Sequence, residues 1–135
     1  MLRNARAAAV FSCLAAVLLL GCGDGNLIGP ENELEVTNAV DEFQFQLTDL
    51  VEVDDIRLYS WQNTGTQATI DISQAITSGS AILTLLDANG TVMYEEDIAE
   101  DGDTTTPVGV AGAWRIEVRL ESVTGTFNFR VQKTT

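Results

Sequence analysis

The chain has 135 residues, a formal net charge of −13 and no histidine. So acidic a surface repels nucleic acid and anionic lipid, which excludes functions that depend on binding either. The lack of histidine excludes imidazole general bases, histidine metal sites and histidine-activated nucleophiles. The length suits one domain that buries its own core.

Residues 1–21 have the pattern of a secretory signal peptide. Arg3 and Arg6 give a basic start, and the uncharged run 7–20 follows them. A membrane-spanning helix needs about 20 apolar residues, so this run is short for a membrane span. A basic start before a short apolar run is typical of a leader that is removed on export, and we expect cleavage after Gly21.

The four residues at 19–22, Leu-Leu-Gly-Cys, resemble the lipobox of bacterial lipoproteins. The resemblance implies cleavage just before Cys22, a diacylglyceryl group on its sulfur and an acylated amino terminus. Two or three acyl chains hold a protein durably at a bilayer, since each buried methylene contributes about 0.8 kcal/mol. The alternative is an ordinary secretory signal whose cysteine is incidental. Gly23 stands where many such proteins carry an inner-membrane retention aspartate, which favours the outer membrane of a host that has one.

The remaining chain is predicted to be a lipidated tether, residues 22–33, followed by one domain, residues 34–135. Gly25, Gly29 and Pro30 lie in the tether, which shows little apolar periodicity. The acidity of the domain has two interpretations, an ordinary solvated surface or adaptation to salt.

From residue 34 onward, apolar and polar residues alternate with the period of two that is typical of half-buried β-strands. The clearest runs are 43–48, 68–73, 114–120 and 127–132. The segment ESVTG, residues 121–125, predicts a hairpin turn between the last two runs. About eight or nine short strands, with no amphipathic helix among them, predict an all-β domain. We expect a single antiparallel, jelly-roll-like β-sandwich.

Residues 81–97 predict a further hairpin. Asn89 and Gly90 are suited to the positive φ angles of a type I′ turn, which matches the twist of paired strands. The run 81–86 is apolar at nearly every position, which predicts a central strand covered on both faces.

A D-x-N-G hairpin at 87–90 is followed by a Gly112-x-Trp114 motif and two alternating runs. In this order they resemble the bacterial pre-peptidase C-terminal domain, over residues 41–132. The resemblance implies a compact β-sandwich of a kind usually found beside secreted peptidase domains, where it is implicated in secretion or substrate attachment. Some members bind calcium. The 135 residues contain no peptidase domain, and Trp114 stands where tyrosine is commoner.

The sequence predicts no enzyme. Cys13 lies in the signal and Cys22 is expected to be acylated, so no free thiol is left in the domain. The sequence lacks the motifs of a serine nucleophile, of a P-loop and of a dinucleotide-binding site. Carboxylate pairs are the catalytic groups that remain, but a small sandwich with short loops has little room for a cleft.

Two weaker candidate sites remain. Six carboxylates lie between residues 95 and 103, and Asp101 and Asp103 are candidate calcium ligands; the alternative is a solvated acidic loop. Tyr59 and Trp61 fall on one face of a predicted strand, where they would form an aromatic platform for a sugar or peptide, or pack inside the domain. The sequence predicts no cofactor, and calcium is the one alternative.

These observations predict a non-enzymatic, lipid-anchored protein of the cell envelope that acts as a binding or structural module. The alternative is a lipid-anchored carbohydrate- or calcium-binding domain. The expected partners are the membrane, through Cys22, and an unidentified protein or glycan.

Overall fold

The computed structural model describes residues 26–135, which form a short 3-10 helix and six β-strands. The strands are β1 (Glu35–Ala39), β2 (Glu42–Asn63), β3 (Ala68–Leu86), β4 (Val92–Asp97), β5 (Gly102–Thr105) and β6 (Gly112–Lys133). All of them pair antiparallel, in the order β1-β2-β6-β3-β4, with β5 also beside β3. The chain is an all-β sandwich, as predicted. The predicted signal peptide, its cleavage site at Gly21 and the lipidation site at Cys22 lie outside the described residues.

Three long strands each run through both layers of the sandwich, so one continuous sheet forms the two layers. Strands β2, β3 and β6 have 22, 19 and 22 residues, whereas a typical strand has about five or six. Register shifts interrupt the β2–β6 ladder between 47 and 55 and the β3–β6 ladder between 76 and 80. Such irregularities bend and twist a strand, so each long strand passes from one layer into the other. Counted by layer, the strand segments agree with the predicted eight or nine.

The two layers are defined by these bends. The first layer contains β1, β5, β2 up to residue 47, β3 up to residue 76 and β6 from residue 127. The second layer contains β4, β2 from residue 55, β3 from residue 80 and β6 up to residue 120. The bends together form one end of the sandwich, which we call the bend end.

The hairpin turn predicted at residues 121–125 is wrong. Strand β6 runs without reversal from Gly112 to Lys133, and both of its segments pair with the same two neighbours. Ser122 and Gly125 have φ angles of 51° and 136°, which bend the strand at this point. ESVTG therefore redirects one strand between layers and does not connect two neighbouring strands.

The hairpin predicted at 81–97 is present, with Leu83 opposite Glu96 and Leu85 opposite Tyr94. The predicted turn type is wrong, because Gly90 has a positive φ of 83° and Asn89 does not. The N–H of Gly90 donates to the Asp87 carbonyl at 2.9 Å, and this turn is accommodated by a register shift at the end of β3. Strand β3 is central, as predicted, but Ile82 and Leu86 are only half-buried on its outer face.

An aromatic core joins the two layers. Phe45 stacks on Phe129 in the first layer, with ring centroids 5.2 Å apart, and Phe43 contacts Tyr59 of the second layer at 5.2 Å. Trp61 and Trp114 meet edge to face at 6.0 Å. Such pairs add about 0.5–1.5 kcal/mol each beyond the area they bury.

The segment before β1 packs against the sandwich. Asn32 is buried, and its side-chain amide donates to the carbonyls of Thr48 and Asp49, both at 3.0 Å. Ile28 packs on the core. Residues 26–33, predicted to belong to the tether, are therefore part of the folded domain. Across residues 26–135, no helix has the length and apolar character needed to cross a membrane.

Candidate functional site

The carboxylate of Asp87 fastens the D-x-N-G turn to the segment before β6. Its Oδ1 accepts hydrogen bonds from the N–H groups of Asn89 at 3.0 Å and Thr91 at 2.9 Å, and its Oδ2 accepts one from Val110 at 3.0 Å. These donors hold the pKa of Asp87 below its usual value, the Thr91 N–H contributing most. The carboxylate is occupied by backbone donors, so its role is to hold the turn.

The Gly112-x-Trp114 motif contacts the same turn. The indole Nε1 of Trp114 donates to the Val110 carbonyl at 2.8 Å, and the N–H of Ala88 donates to that carbonyl at 3.3 Å. Gly112 has a φ of 136°, and a Cβ there would lie 3.0 Å from the Cβ of Ala88. The motif residues thus meet in one place, where their contacts are structural.

The aromatic platform predicted at Tyr59 and Trp61 is wrong, since a platform needs ring faces in solvent. Trp61 is 0% exposed and packs on Trp114. Tyr59 lies at the margin of the core against Phe43 and Phe45, and burial raises the pKa of its hydroxyl. Both rings follow the second interpretation of the sequence and pack inside the domain.

The predicted calcium ligands, Asp101 and Asp103, line one cavity with Glu96, Asp97 and Glu100, but they are not arranged as a metal-binding group. An oxygen of the Asp101 carboxylate accepts the N–H of Gln74 at 2.8 Å, while Asp103 lies in β5 opposite Asp71. Within residues 26–135, no group of three or more histidine, cysteine, aspartate or glutamate side chains is arranged to hold a metal ion. The structure therefore gives Asp101 and Asp103 no calcium site among these residues.

The outer face of the first layer forms a polar trough of about 310 Å³ across β1, β2, β6 and β3. Strand pairing aligns its side chains in two cross-strand rows. The first row is Glu35, Gln46, Asn128 and Ser73, and the second is Thr37, Gln44, Arg130 and Asp71. Every member of both rows is polar. On β2 and β6 the residues that alternate with them, Phe45 and Phe129, are buried in the core, whereas Val36 of β1 is exposed.

The trough presents several kinds of hydrogen-bonding group side by side. Arg130 and Asp71 form a loose ion pair, with Nη2 and Oδ2 3.8 Å apart and both side chains 45% exposed. Amides such as Gln46 and Asn128 carry donors and acceptors on one group. A face of this kind suits a ligand rich in hydroxyl groups. The alternation in the sequence predicted polar outer faces, but it could not predict which strands lie side by side.

Comparison with known proteins identifies no family for this chain. The chain matches no family model, and no curated protein is similar to it in sequence. It is similar to a solved structure described as "CBM4 structure and function", with 13% identity and a TM-score of 0.39, covering 77% of this chain and 80% of the other. It is also similar to "Structure of infectious bursal disease virus Gx strain", with 10% identity and a TM-score of 0.28, covering 74% of this chain and 32% of the other. Neither likeness assigns a role to a residue of this chain.

Proposed function

We propose that the protein is a non-enzymatic, lipid-anchored binding module of the cell envelope, whose polar trough binds a hydroxyl-rich ligand such as a glycan. The observation that carries this proposal is the alignment of eight polar side chains in two cross-strand rows on one face. Sugars are recognised largely by hydrogen bonds to their hydroxyl groups, and amide, carboxylate and guanidinium side chains supply the donors and acceptors. The rows span four strands, so an extended ligand would contact several side chains at once.

The position of Asn26 supports an anchor at the bend end. The N–H of Asn26 donates to the Glu52 carbonyl at 3.4 Å, and its own carbonyl accepts the N–H of Asp54 at 2.7 Å. Cys22 precedes Asn26 by four residues, which reach at most about 14 Å at roughly 3.5 Å per residue. An anchor at Cys22 would therefore hold the bend end near the bilayer and leave the trough, on the side of the sandwich, open to solvent.

Replacing Cys22 with serine tests the anchor. We expect the unsubstituted protein to fractionate with membranes, and its mature amino terminus to be a cysteine with attached acyl groups by mass spectrometry. Cys22→Ser is expected to abolish acylation of the chain, because the sulfur that carries the diacylglyceryl group is lost. Cys13→Ser is the control and is expected to change nothing. An unmodified amino terminus at another residue, or a Cys22→Ser protein that is still acylated, contradicts the anchor.

Binding in the trough is tested with a glycan array and two matched variants. Asn128→Ala, in the middle of the first row, is expected to weaken binding to any recognised glycan at least about tenfold, which corresponds to about 1.4 kcal/mol. Arg115→Ala is the control, because Arg115 lies on the outer face of the same strand but in the second layer. The absence of any glycan signal, or equal losses in both variants, contradicts glycan binding in the trough and leaves the anchor to be judged on its own test.

A further inference from the structure

The second layer has an open edge along β2. Strand β1 pairs only with Glu42–Gln46 of β2, in the first layer, so the segment 55–63 has β6 on one side and no strand of residues 26–135 on the other. Asn26 bridges Val53 at one end of this segment, and the N–H of Asp41 donates to the Gln62 carbonyl at the other. Residues 56–60 lie between these two contacts, and we call them the open edge.

Even-numbered residues of the open edge turn their backbone groups away from β6. The N–H of Ile56 donates to the Asp55 side chain at 2.8 Å, and the Ser60 carbonyl accepts the side-chain amide of Asn38 at 2.9 Å. In an antiparallel ladder, successive residues alternate between facing the neighbouring strand and facing away from it. The N–H and C=O of Leu58 therefore also point outward.

The backbone groups that remain open are self-complementary. They are the Ile56 C=O, both groups of Leu58 and the Ser60 N–H, none of which has a partner outside the strand ladders among the described residues. In an antiparallel pairing with a two-fold axis at Leu58, the two Leu58 residues exchange N–H···O=C bonds, and each Ser60 N–H meets the Ile56 C=O of the other copy. The Ile56 N–H and Ser60 C=O, which would also face each other, are the two groups already bonded to side chains of their own chain.

The side chains of the open edge are also compatible with an antiparallel pairing about a two-fold axis at Leu58. Leu58 and Ile56 are 62% and 53% exposed, although both are large and apolar. The two-fold axis would place Leu58 against Leu58 of the second copy, and Ile56 beside Ser60. On the other face, Arg57 would lie opposite Tyr59, where a guanidinium packs favourably on an aromatic ring. Unpaired edge strands with exposed apolar residues are prone to pairing of this kind.

The charge around the open edge permits two copies of an acidic chain to approach. Only 7 of the 135 residues are basic. Three of them lie in or beside the edge: Arg57 within it, Arg115 opposite Ser60 and Arg119 opposite Ile56. The guanidinium of Arg57 is 3.1 Å from the Asp55 carboxylate, and Arg119 pairs at 3.8 Å with Glu117, which lies opposite Leu58, so positive and negative charges are balanced around the edge.

We propose that two copies of this chain associate through their open edges, which joins the second layers into one continuous sheet across a two-fold axis at Leu58. Five paired residues form an interface smaller than those of stable complexes, so the association is weak and transient. We therefore expect a dissociation constant on the order of 10⁻⁴ M in solution. The pairing does not depend on the glycan trough, which lies on the other layer, or on the anchor.

Sedimentation equilibrium of the full chain in detergent solution, from about 10 μM to 1 mM, tests the pairing around the expected dissociation constant. The mass is expected to rise from monomer towards dimer with concentration. Leu58→Lys puts two ammonium groups face to face at the axis and is expected to raise the dissociation constant at least tenfold, while far-UV circular dichroism stays unchanged. Val92→Lys is the matched control, because Val92 is 51% exposed on β4, the opposite edge strand of the second layer.

A cysteine variant tests the register. Leu58→Cys is expected to be joined to its own copy by a short bis-maleimide cross-linker, which alkylates one thiol of each copy, well above the level of the unsubstituted chain, and Val92→Cys is not. A monomer at every concentration overturns the proposal. So does a dimer that Leu58→Lys leaves intact, or one that Val92→Lys weakens equally.

Discussion

Alanine in place of Phe129 or Trp114 is expected to lower the free energy of unfolding by about 3–5 kcal/mol at each site. Both side chains are 1% exposed. Phe129 stacks between Phe43 and Phe45, with centroids 6.0 and 5.2 Å away, so its removal leaves a cavity in the first layer. Trp114 fills the second layer against Trp61, and its loss also removes the hydrogen bond to the Val110 carbonyl.

Urea denaturation of the variants measures these losses, and Asn128→Ala is the control. Asn128 lies next to Phe129 on β6, but its side chain is on the outer face, so its substitution is expected to change stability by no more than about 0.5 kcal/mol. Losses below about 1 kcal/mol at both Phe129 and Trp114 would mean that the assignment of inner and outer faces is wrong.

The inner faces were predictable because alternation is a local property of the chain. Residues 43, 45 and 47, residues 114, 116, 118 and 120, and residues 127, 129 and 131 all lie in the core, as their spacing predicts. In β6 the buried positions change from even to odd numbers between 120 and 123, within one strand. A sequence that changes phase in this way resembles two strands joined by a turn, which is why the alternation predicts a hairpin at ESVTG.

Strand β2 shows where alternation fails to identify the inner face. Its odd residues from 55 to 61 include Asp55 and Arg57 as well as two aromatic residues, while Ile56 and Leu58 lie on the even face. Hydropathy alone favours neither face. In the structure the odd face points inward. Asp55 and Arg57 form an ion pair at the margin of the core, with Nη2 and Oδ2 3.1 Å apart, and the aromatic rings fill the centre of the core. The same choice exposes Ile56 and Leu58 on the open edge.

The polar trough and the open edge depend on pairing between residues far apart in the chain. Gln46 is aligned with Asn128, and Asn128 with Ser73, by hydrogen bonds of the sheet. A single sequence without these pairings predicts which residues face outward and leaves their neighbours across the sheet unknown. The same applies to Asn38, whose side chain bonds the carbonyl of Ser60 on β2, at one end of the open edge.

Gly79→Ala is expected to prevent folding. Gly79 lies in the bend of β3 with a φ of 81°, and a Cβ there would overlap the carbonyl of Ser122 and lie 2.6 Å from that of Glu121 on β6. The crowding atoms are backbone, so they cannot move without breaking the ladder between the two strands. Such overlap adds to the roughly 1–2 kcal/mol that a left-handed conformation costs alanine, and the total approaches the 5–15 kcal/mol of stability that a typical domain has.

Gly90→Ala separates the cost of the left-handed backbone conformation from the cost of the steric overlap. Gly90 has nearly the same φ, 83°, but a Cβ at that position would meet nothing within 4 Å. We therefore expect Gly90→Ala to lose only about 1–2 kcal/mol, from the backbone conformation alone, and to remain folded. Circular dichroism and urea denaturation of both variants provide the comparison. Equal stability of the two would show that β3 and β6 do not approach closely at the bend, and the folding of one sheet into two layers would then need a different cause. Gly125→Ala, where a Cβ would lie 2.7 Å from the Cα of Ile76 across the same bend, is expected to behave like Gly79→Ala.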